Sequence, residues 1–323
     1  MDNRKPLKTW LDFDQQLELL KTRGLHIENE NRAKQYLQRI GYYRLSGYFY
    51  PFREFNPENT FSRLNTFQKG STFETVLALY IFDKKLRLMA LDALERIEMA
   101  IRVDVAYTLG KRSSDAHQNS SCLHGNFVRP QSNGSQSKHQ KWLEKYEGLV
   151  SRARKQDFVR HNLEKYGCLP IWAACEILDF GALSMLFSGM KYEDKQIIAR
   201  KYHVQNHNEM EQWLRSLNFI RNVSAHHSRL WNTNITERAN LSANFPQDPY
   251  WSQLKNDRAF AYFCVMQKML TVICPHSSWS KRFDALMETF PKNPIINLHM
   301  FGLPENWQLW DLWEKPQPDN IVK

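Results

Sequence analysis

A single long run of helical periodicity, beginning at Phe73, limits the folds open to this chain more than any other feature. Apolar residues recur every three or four positions as far as Leu109, and Gly110 follows as a helix stop. The sequence Ser71-x-x-Glu74 predicts a capping box at the start. At 1.5 Å per residue, about 38 helical residues would span roughly 57 Å, a length that allows a break or bend inside the helix.

The rest of the chain favours helices as well. Only 12 of the 323 residues are glycine, and alternating β-branched runs are scarce, which argues against a large sheet. A hydrophobic content of 42% with 13% aromatic residues is that of a folded protein. We therefore predict an all-α protein. The further segments with helical patterns are residues 13–24, 29–40, 142–166, 169–184, 194–202, 256–274 and 280–290.

Charge and cysteine content indicate the partner and the compartment. Lys and Arg number 44 against 34 Asp and Glu, a net charge of +10, which indicates either a polyanionic partner such as nucleic acid or a merely basic surface. The five cysteines form no CxxC, which argues against a disulfide framework or a zinc cage. The sequence begins polar and has no run of 18 apolar residues, so we expect a cytoplasmic protein without a membrane segment.

The densest cluster of chemically active side chains lies at 219–232, in a segment that we interpret as helical. On a helical wheel Asn222 and His226 are neighbours on a polar face, which Arg215, Asn218 and Arg229 share. The opposite face is apolar. It includes His227, which we interpret as a core histidine, and the remaining residues Trp213, Leu217, Ile220, Val223 and Trp231.

The cluster suits cleavage of a phosphodiester in RNA. An imidazole such as His226 can transfer a proton near neutral pH, and a guanidinium such as Arg221 can hold a phosphate. The Arg-x4-His spacing alone is weak evidence, because Arg112 and His117 repeat it in a polar stretch without helical periodicity. We interpret that second match as a coincidence. A metal site shared by His226 and His227 is disfavoured, since adjacent helical residues point about 100° apart.

Three charged residues elsewhere are candidates to support this cluster. Glu98 and Arg102 are four residues apart, as in a solvated helical ion pair, or else they face the Arg–His cluster and orient it. Glu176 stands in an apolar stretch and needs a partner, for which Arg221 or His226 is a candidate. A purely structural alternative stays open, in which Arg221 and His226 pair with such carboxylates, Glu95 among them.

Several other regions have two interpretations each. The aromatic run 41–53, with Tyr43 and Arg44, is either an RNA-stacking platform or a wedge in the core. The basic helix 142–166 either lines a nucleic-acid path or is a solvated face.

Residues 111–140 are polar, and we expect a flexible insertion there. Its histidines are expected to be solvated, and these are His117, His124 and His139. We expect an N-terminal helical and aromatic region at 1–70 and a helical domain at 71–323.

Four blocks resemble the Abi family of bacterial abortive-infection proteins (the AbiD/AbiF type). The central one is Arg221-Asn-x-x-x-His-His-x-Arg-Leu-Trp-Asn232, whose spacing is also similar to the R-x4–6-H signature of HEPN ribonucleases. The others are the aromatic run 41–53, Leu169-Pro-x-Trp-x-x-x-Glu176, and a closing segment at 302–310, whose Trp residues we expect to fold back on the core.

The resemblance implies a HEPN-like helical bundle with an additional N-terminal helical part. It implies a metal-independent, cofactor-free endoribonuclease of anti-phage defence, toxin-like when released, whose products end in 2′,3′-cyclic phosphate. His226 would be the general base or acid, Arg221 would bind the scissile phosphate, and Asn222 would position it. Arg229 would add a phosphate contact.

Partners follow from the same resemblance. RNA would be the substrate, a small structured RNA would be a regulator, and two motif helices from a homodimer would form one site. The alternative is a non-catalytic module that binds RNA and acts through sequestration or partner recruitment.

Overall fold

The computed structural model describes residues 7–132, 134–241 and 249–313. The described residues form fourteen α-helices and one two-stranded antiparallel sheet, so the prediction of an all-α protein is confirmed. They group into two compact units. The first comprises the described residues up to Leu86 together with Ala285–Met300, and the second comprises Arg87–Asp284 with the described residues from Phe301 onward. The expected domains at 1–70 and 71–323 stay a prediction.

The first unit begins with three helices and a hairpin. Asp12 caps the first helix through a capping box with Gln15, and Gly24 has the positive φ that a residue after a helix end often adopts. The polar composition of the segment 56–70 predicts a loop, but the segment instead contains the whole second strand. The elements are α1 (Phe13–Thr22), α2 (Glu30–Ile40), α3 (Tyr42–Phe49), β1 (Arg53–Asn56) and β2 (Asn59–Phe67).

The long helix α4 runs from Phe73 to Gly110 over 38 residues, so its predicted length is confirmed. The predicted capping residue is wrong by one position. The hydroxyl of Thr72 accepts a hydrogen bond from the backbone N–H of Thr75 at 3.1 Å, whereas the Ser71 hydroxyl donates to a backbone carbonyl of the preceding segment. Within the second unit, α4 buries a stripe at intervals of four residues: Ile97, Ile101, Val105 and Leu109.

The second unit contains most of the remaining helices. Two of the helices predicted from periodicity are each divided in the structure, because extended backbone at Gln156 and at Leu178 interrupts them. The elements are α5 (Gly125–Val128), α6 (Lys138–Ala153), α7 (Asp157–Tyr166), α8 (Ile171–Ile177), α9 (Phe180–Gly189), α10 (Tyr192–Lys201), α11 (His207–Ala225), α12 (Pro249–Gln253), α13 (Ala259–Ile273) and α14 (Trp279–Glu288, whose last residues belong to the first unit).

The core of the second unit forms around α9, α11 and α13. Ten residues of α13 and seven of α9 are buried, and α11 packs against both helices. The C-terminal segment folds back onto this core, as we expected from its tryptophans. Trp307 and Trp313 pack against Phe260 and Phe283, with ring centroids 4.6–6.0 Å apart. Large aromatic side chains of this kind contribute most of the apolar area that a core buries.

Part of the predicted insertion at 111–140 is packed rather than exposed. His117 and His139 are buried, so the expectation that they are solvated is wrong, while His124 is half-buried and caps α5. The ring of Phe127 lies so close to Gly189 of α9 that any side chain at that position would clash. Sequence reasoning failed here because the buried residues are few and are separated by polar residues that face solvent.

Candidate functional site

The motif helix α11 presents its predicted polar and apolar faces. Trp213, Leu217 and Ile220 are fully buried, whereas Arg215 and Asn222 are exposed. The sequence Asn208-x-x-Glu211 predicts a cap at Asn208, but the helix begins one residue before it, at His207. The side chain of Asn206 accepts the N–H of Asn208 instead. The buried face fixes the helix, and the polar face is left free for function.

The helix ends in the middle of the motif, so the helical wheel is wrong from His226 onward. The N–H of Ser228 donates to the carbonyl of Val223 at 2.9 Å and that of His227 donates to Ser224 at 3.1 Å, the two bonds of a Schellman motif. His227 has φ 57°, a left-handed conformation that glycine usually occupies at this position. Because no glycine marks the helix end, periodicity alone does not predict it.

This ending changes where the histidines lie. His227 is exposed, so its predicted place in the core is wrong. His226 is the residue at the helix end, and its imidazole is also exposed. Beyond it Leu230 and Trp231 are fully buried and hold the outgoing segment against the unit. The exposed imidazole of His226 therefore lies between helix α11 and the buried side chains of Leu230 and Trp231.

Asn222 connects the other two candidate catalytic residues. Its side-chain oxygen lies 3.5 Å from Nη1 of Arg221, a long hydrogen bond, and its carbonyl accepts the backbone N–H of His226 at 2.9 Å. The side chain of Arg221 is half-buried, and within the described part of the chain it forms no ion pair. The guanidinium therefore keeps most of its donors for a ligand.

Two carboxylates lie within electrostatic range of Arg221. Burial raises the pKa of Glu98, against the opposing attraction of Arg102 and then of Arg221. Burial also acts to raise the pKa of Asp179. Its hydrogen bonds from Lys145 and from the backbone N–H of Ala182, together with the charges of Lys145 and Arg221, outweigh burial and lower that pKa. The negative charges of Glu98 and Asp179 thus act on Arg221, although neither carboxylate forms an ion pair with it.

Glu98 and Arg102 form the predicted helical ion pair, but the pair is mostly buried and not solvated, and its role in orienting the Arg–His cluster stays a prediction. Arg102 pairs with Glu98 at 2.6 Å, as expected for residues four apart on a helix. Its guanidinium also donates to the carbonyl of Leu178 at 2.8 Å, which fastens the junction between α8 and α9 to α4. That junction carries Asp179, so the polar ridge of α4 holds a group whose charge acts on Arg221.

Sequence reasoning missed three side chains beside Gly181. A Cβ at that glycine would lie 3.3 Å from Oδ1 of Asp179, 3.4 Å from Nδ2 of Asn218 and 3.5 Å from Nζ of Lys145. Asn218 was placed on the polar face, but nothing in the sequence linked it to α6 or α9. The one available signal was Asp179 before a helical pattern, which is typical of a helix cap.

The remaining candidates are Glu176, Arg229, Tyr43 and Arg44. Glu176 is exposed and forms no ion pair among the described residues, so its predicted pairing with Arg221 or His226 is wrong. Arg229 is half-buried on the segment after α11. Tyr43 (92% exposed) and Arg44 are exposed on α3 of the first unit, whereas their neighbours Leu45, Tyr48, Phe49 and Phe52 are buried. The aromatic run is therefore mostly core, with one exposed edge.

Among the described residues, no group of three or more His, Cys, Asp or Glu side chains is arranged to hold a metal ion. None of the described helices is long and apolar enough to cross a membrane.

Comparison with known families decides which family this fold and motif represent. The model of the Abi-like protein family matches residues 35–232, more than half of the chain. The chain belongs to the Abi-like protein family. In this Abi-like protein the match includes the aromatic run, α4, the Leu169–Glu176 block and the motif on α11, and it stops before the closing segment at 302–310. Family membership indicates a role in abortive infection. Comparisons with curated proteins and with solved structures give no match.

Proposed function

We propose that this Abi-like protein is a metal-independent endoribonuclease of anti-phage defence, with Arg221, Asn222 and His226 as its catalytic residues and a HEPN-like bundle as its scaffold. One observation carries the proposal. The Arg221 guanidinium forms no ion pair among the described residues, and the exposed imidazole of His226 follows one turn later, with Asn222 bonded to both residues.

The chemistry that this arrangement supports needs no cofactor. A ribose 2′-hydroxyl attacks the adjacent phosphorus, and His226 accepts the hydroxyl proton as general base or donates one to the leaving 5′-oxygen as general acid. Arg221 stabilises the negative charge that grows on the phosphoryl oxygens, and Asn222 orients the guanidinium. The 5′-oxygen leaves with a proton, and the upstream fragment ends in a 2′,3′-cyclic phosphate.

Partners of this site are part of the same proposal. A second copy of the chain would place its own α11 opposite the first, so that two exposed His226 side chains share one RNA. The net charge of +10 suits a bound regulatory RNA that keeps the enzyme silent. Release of such an RNA would unleash toxin-like cleavage in the cytoplasm. Light scattering before and after stripping of co-purified RNA tests both the dimer and the regulator.

A non-catalytic RNA-binding module is the second candidate. The imidazole of His226 forms no hydrogen bond to any described residue, and general bases are usually oriented by a partner. In this alternative Arg221, Arg229 and the basic surface hold RNA, and the biological effect comes from sequestration or partner recruitment.

A double substitution separates the two candidates. Arg221→Ala with His226→Ala is compared with the parent protein for cleavage of labelled RNA and for binding of a non-cleavable, 2′-deoxy-substituted RNA. Loss of cleavage with RNA binding largely retained supports the enzyme. Cleavage that is absent from the parent as well, with binding lost in the variant, supports the module. Cleavage at the parental rate would contradict both.

A further inference from the structure

The side chains around Gly181 lie beside the proposed catalytic cluster, on three helices of the same unit. Lys145 comes from α6, Asp179 and Gly181 from the start of α9, and Asn218 from α11. Their polar atoms Nζ, Oδ1 and Nδ2 all lie within 3.5 Å of the point that a Cβ on Gly181 would occupy. Because this position has no side chain, the polar groups converge on an open surface.

The groups retain capacity to bind a ligand. The Lys145 ammonium donates one hydrogen bond to Asp179 at 2.7 Å, and two N–H donors remain. The ion pair is partly open to solvent, with the two side chains 38% and 41% exposed. The amide of Asn218 forms no hydrogen bond to any described residue and is half-buried.

The position of these groups relative to Arg221 is set by the helix. Asn218 lies three residues before Arg221, so their side chains are neighbours on one face, about 4.5 Å apart along the helix axis. The charge of Arg221 also acts on Asp179, so the two places lie within electrostatic range of each other. A nucleic-acid strand lying along α11 would bring neighbouring phosphates to the two places in turn.

We infer that Lys145 and Asn218 form a second phosphate subsite, which binds the phosphate next to the scissile one held by Arg221. The inference rests on the proposed function and extends it from a single phosphate to the path of the RNA strand. Asp179 limits the affinity of this subsite, because its carboxylate competes with the phosphate for Lys145. The ligand is the backbone of single-stranded RNA, so the subsite contributes affinity without base preference.

The opposite roles of Lys145 and Asp179 make the test specific. Binding is measured in a His226→Ala background, with a single-stranded RNA of mixed sequence at several salt concentrations. Lys145→Ala should weaken binding by about tenfold and lower the salt slope by about 0.7, the value for one phosphate contact on a single strand. Asp179→Asn should keep or strengthen binding, since asparagine still caps α9 and no longer competes for Lys145.

A matched control exists on the same helix. Lys141 lies one turn before Lys145 and is exposed, so Lys141→Ala removes the same charge without touching the subsite. Asn218→Ala should weaken binding by about threefold, as for one neutral hydrogen bond. Circular dichroism melts identify any variant that fails to fold.

The outcomes separate the inference from the proposed function. If Lys145→Ala behaves like Lys141→Ala, or if Asp179→Asn weakens binding as much as Lys145→Ala does, the pair is structural and the subsite is wrong. If the His226→Ala parent binds no RNA at all, the proposed function itself fails, and the subsite fails with it.

Discussion

Two segments of this protein have the same Arg-x4-His spacing and opposite surroundings. Arg112 forms a two-point ion pair with the buried carboxylate of Asp194, at 2.6 and 3.0 Å, and a further bond to Glu193. His117 is fully buried, with its ring 5.0 Å from that of Tyr146. Burial lowers its pKa to about 4, with a smaller opposing effect of Asp115.

The segment from Arg221 to His226 differs in each respect. Its arginine forms no ion pair among the described residues, and its histidine is exposed. The first segment uses arginine and histidine to hold helices together, and the second leaves them available to a ligand. The Arg-x4-His spacing alone therefore does not identify a functional site. The burial and the partners of each side chain distinguish the structural segment from the candidate site.

Alanine substitution of each histidine should give the largest difference between the two segments, in cleavage rate and in stability. His226→Ala should lower RNA cleavage by about 10²–10⁴-fold, the usual contribution of a general acid or base, without a change in the free energy of unfolding. His117→Ala should instead destabilise the protein by about 2–4 kcal/mol through the cavity it leaves, with cleavage per folded molecule retained. Cleavage assays and urea unfolding of both variants check this. A stable, inactive His117 variant would break the contrast.

The arginines should differ in the same way with a smaller effect. Arg221→Ala should slow cleavage about 10²–10³-fold, as expected when a donor to the growing phosphoryl charge is removed. Arg112→Ala should cost about 1–3 kcal/mol of unfolding free energy, because Asp194 loses its buried partner. Single-turnover rates and denaturation midpoints measure the two effects. If Arg221→Ala is destabilised but its folded molecules cleave at the parental rate, Arg221 has a structural role and no catalytic one.

The pH dependence of stability should come from the buried segment. Since the folded-state pKa of His117 is depressed, the unfolded chain binds the extra proton, and stability rises with pH. The contribution is complete above about pH 6.5 and is lost as pH falls towards 4, by up to about 3 kcal/mol. Urea unfolding of the parent and of His117→Gln at pH 7 and pH 5 measures how much His117 contributes to the pH dependence of the unfolding free energy. An equal pH dependence in both proteins would contradict it.

The smallest effect is expected at Glu176. Because its side chain is exposed and makes no ion pair among the described residues, Glu176→Gln should change unfolding free energy by less than about 0.5 kcal/mol. Cleavage should also be unchanged. A loss of activity in this variant would show that Glu176 acts on RNA or on a second copy of the chain, and it would enlarge the site beyond the Arg221 cluster.

The sequence predicted what periodicity and local polarity determine. The 38-residue helix, the two faces of α11 and the return of the C-terminal tryptophans are all confirmed. It did not predict the helix end at His226, because a histidine occupies the left-handed position where glycine is the usual signal. It also missed Lys145 and Asp179, since their proximity to Asn218 depends on how α6, α9 and α11 pack, and their spacing along the chain does not reveal it.

Incubation of the purified protein with total bacterial RNA tests the central claim most directly, with and without EDTA and beside His226→Ala. The account predicts fragments that persist in EDTA, end in 2′,3′-cyclic phosphate and are absent with the variant. If co-purified RNA silences the protein, stripping that RNA should release the same cleavage. Fragments that vanish in EDTA, or that form equally well with the His226 variant, would contradict it.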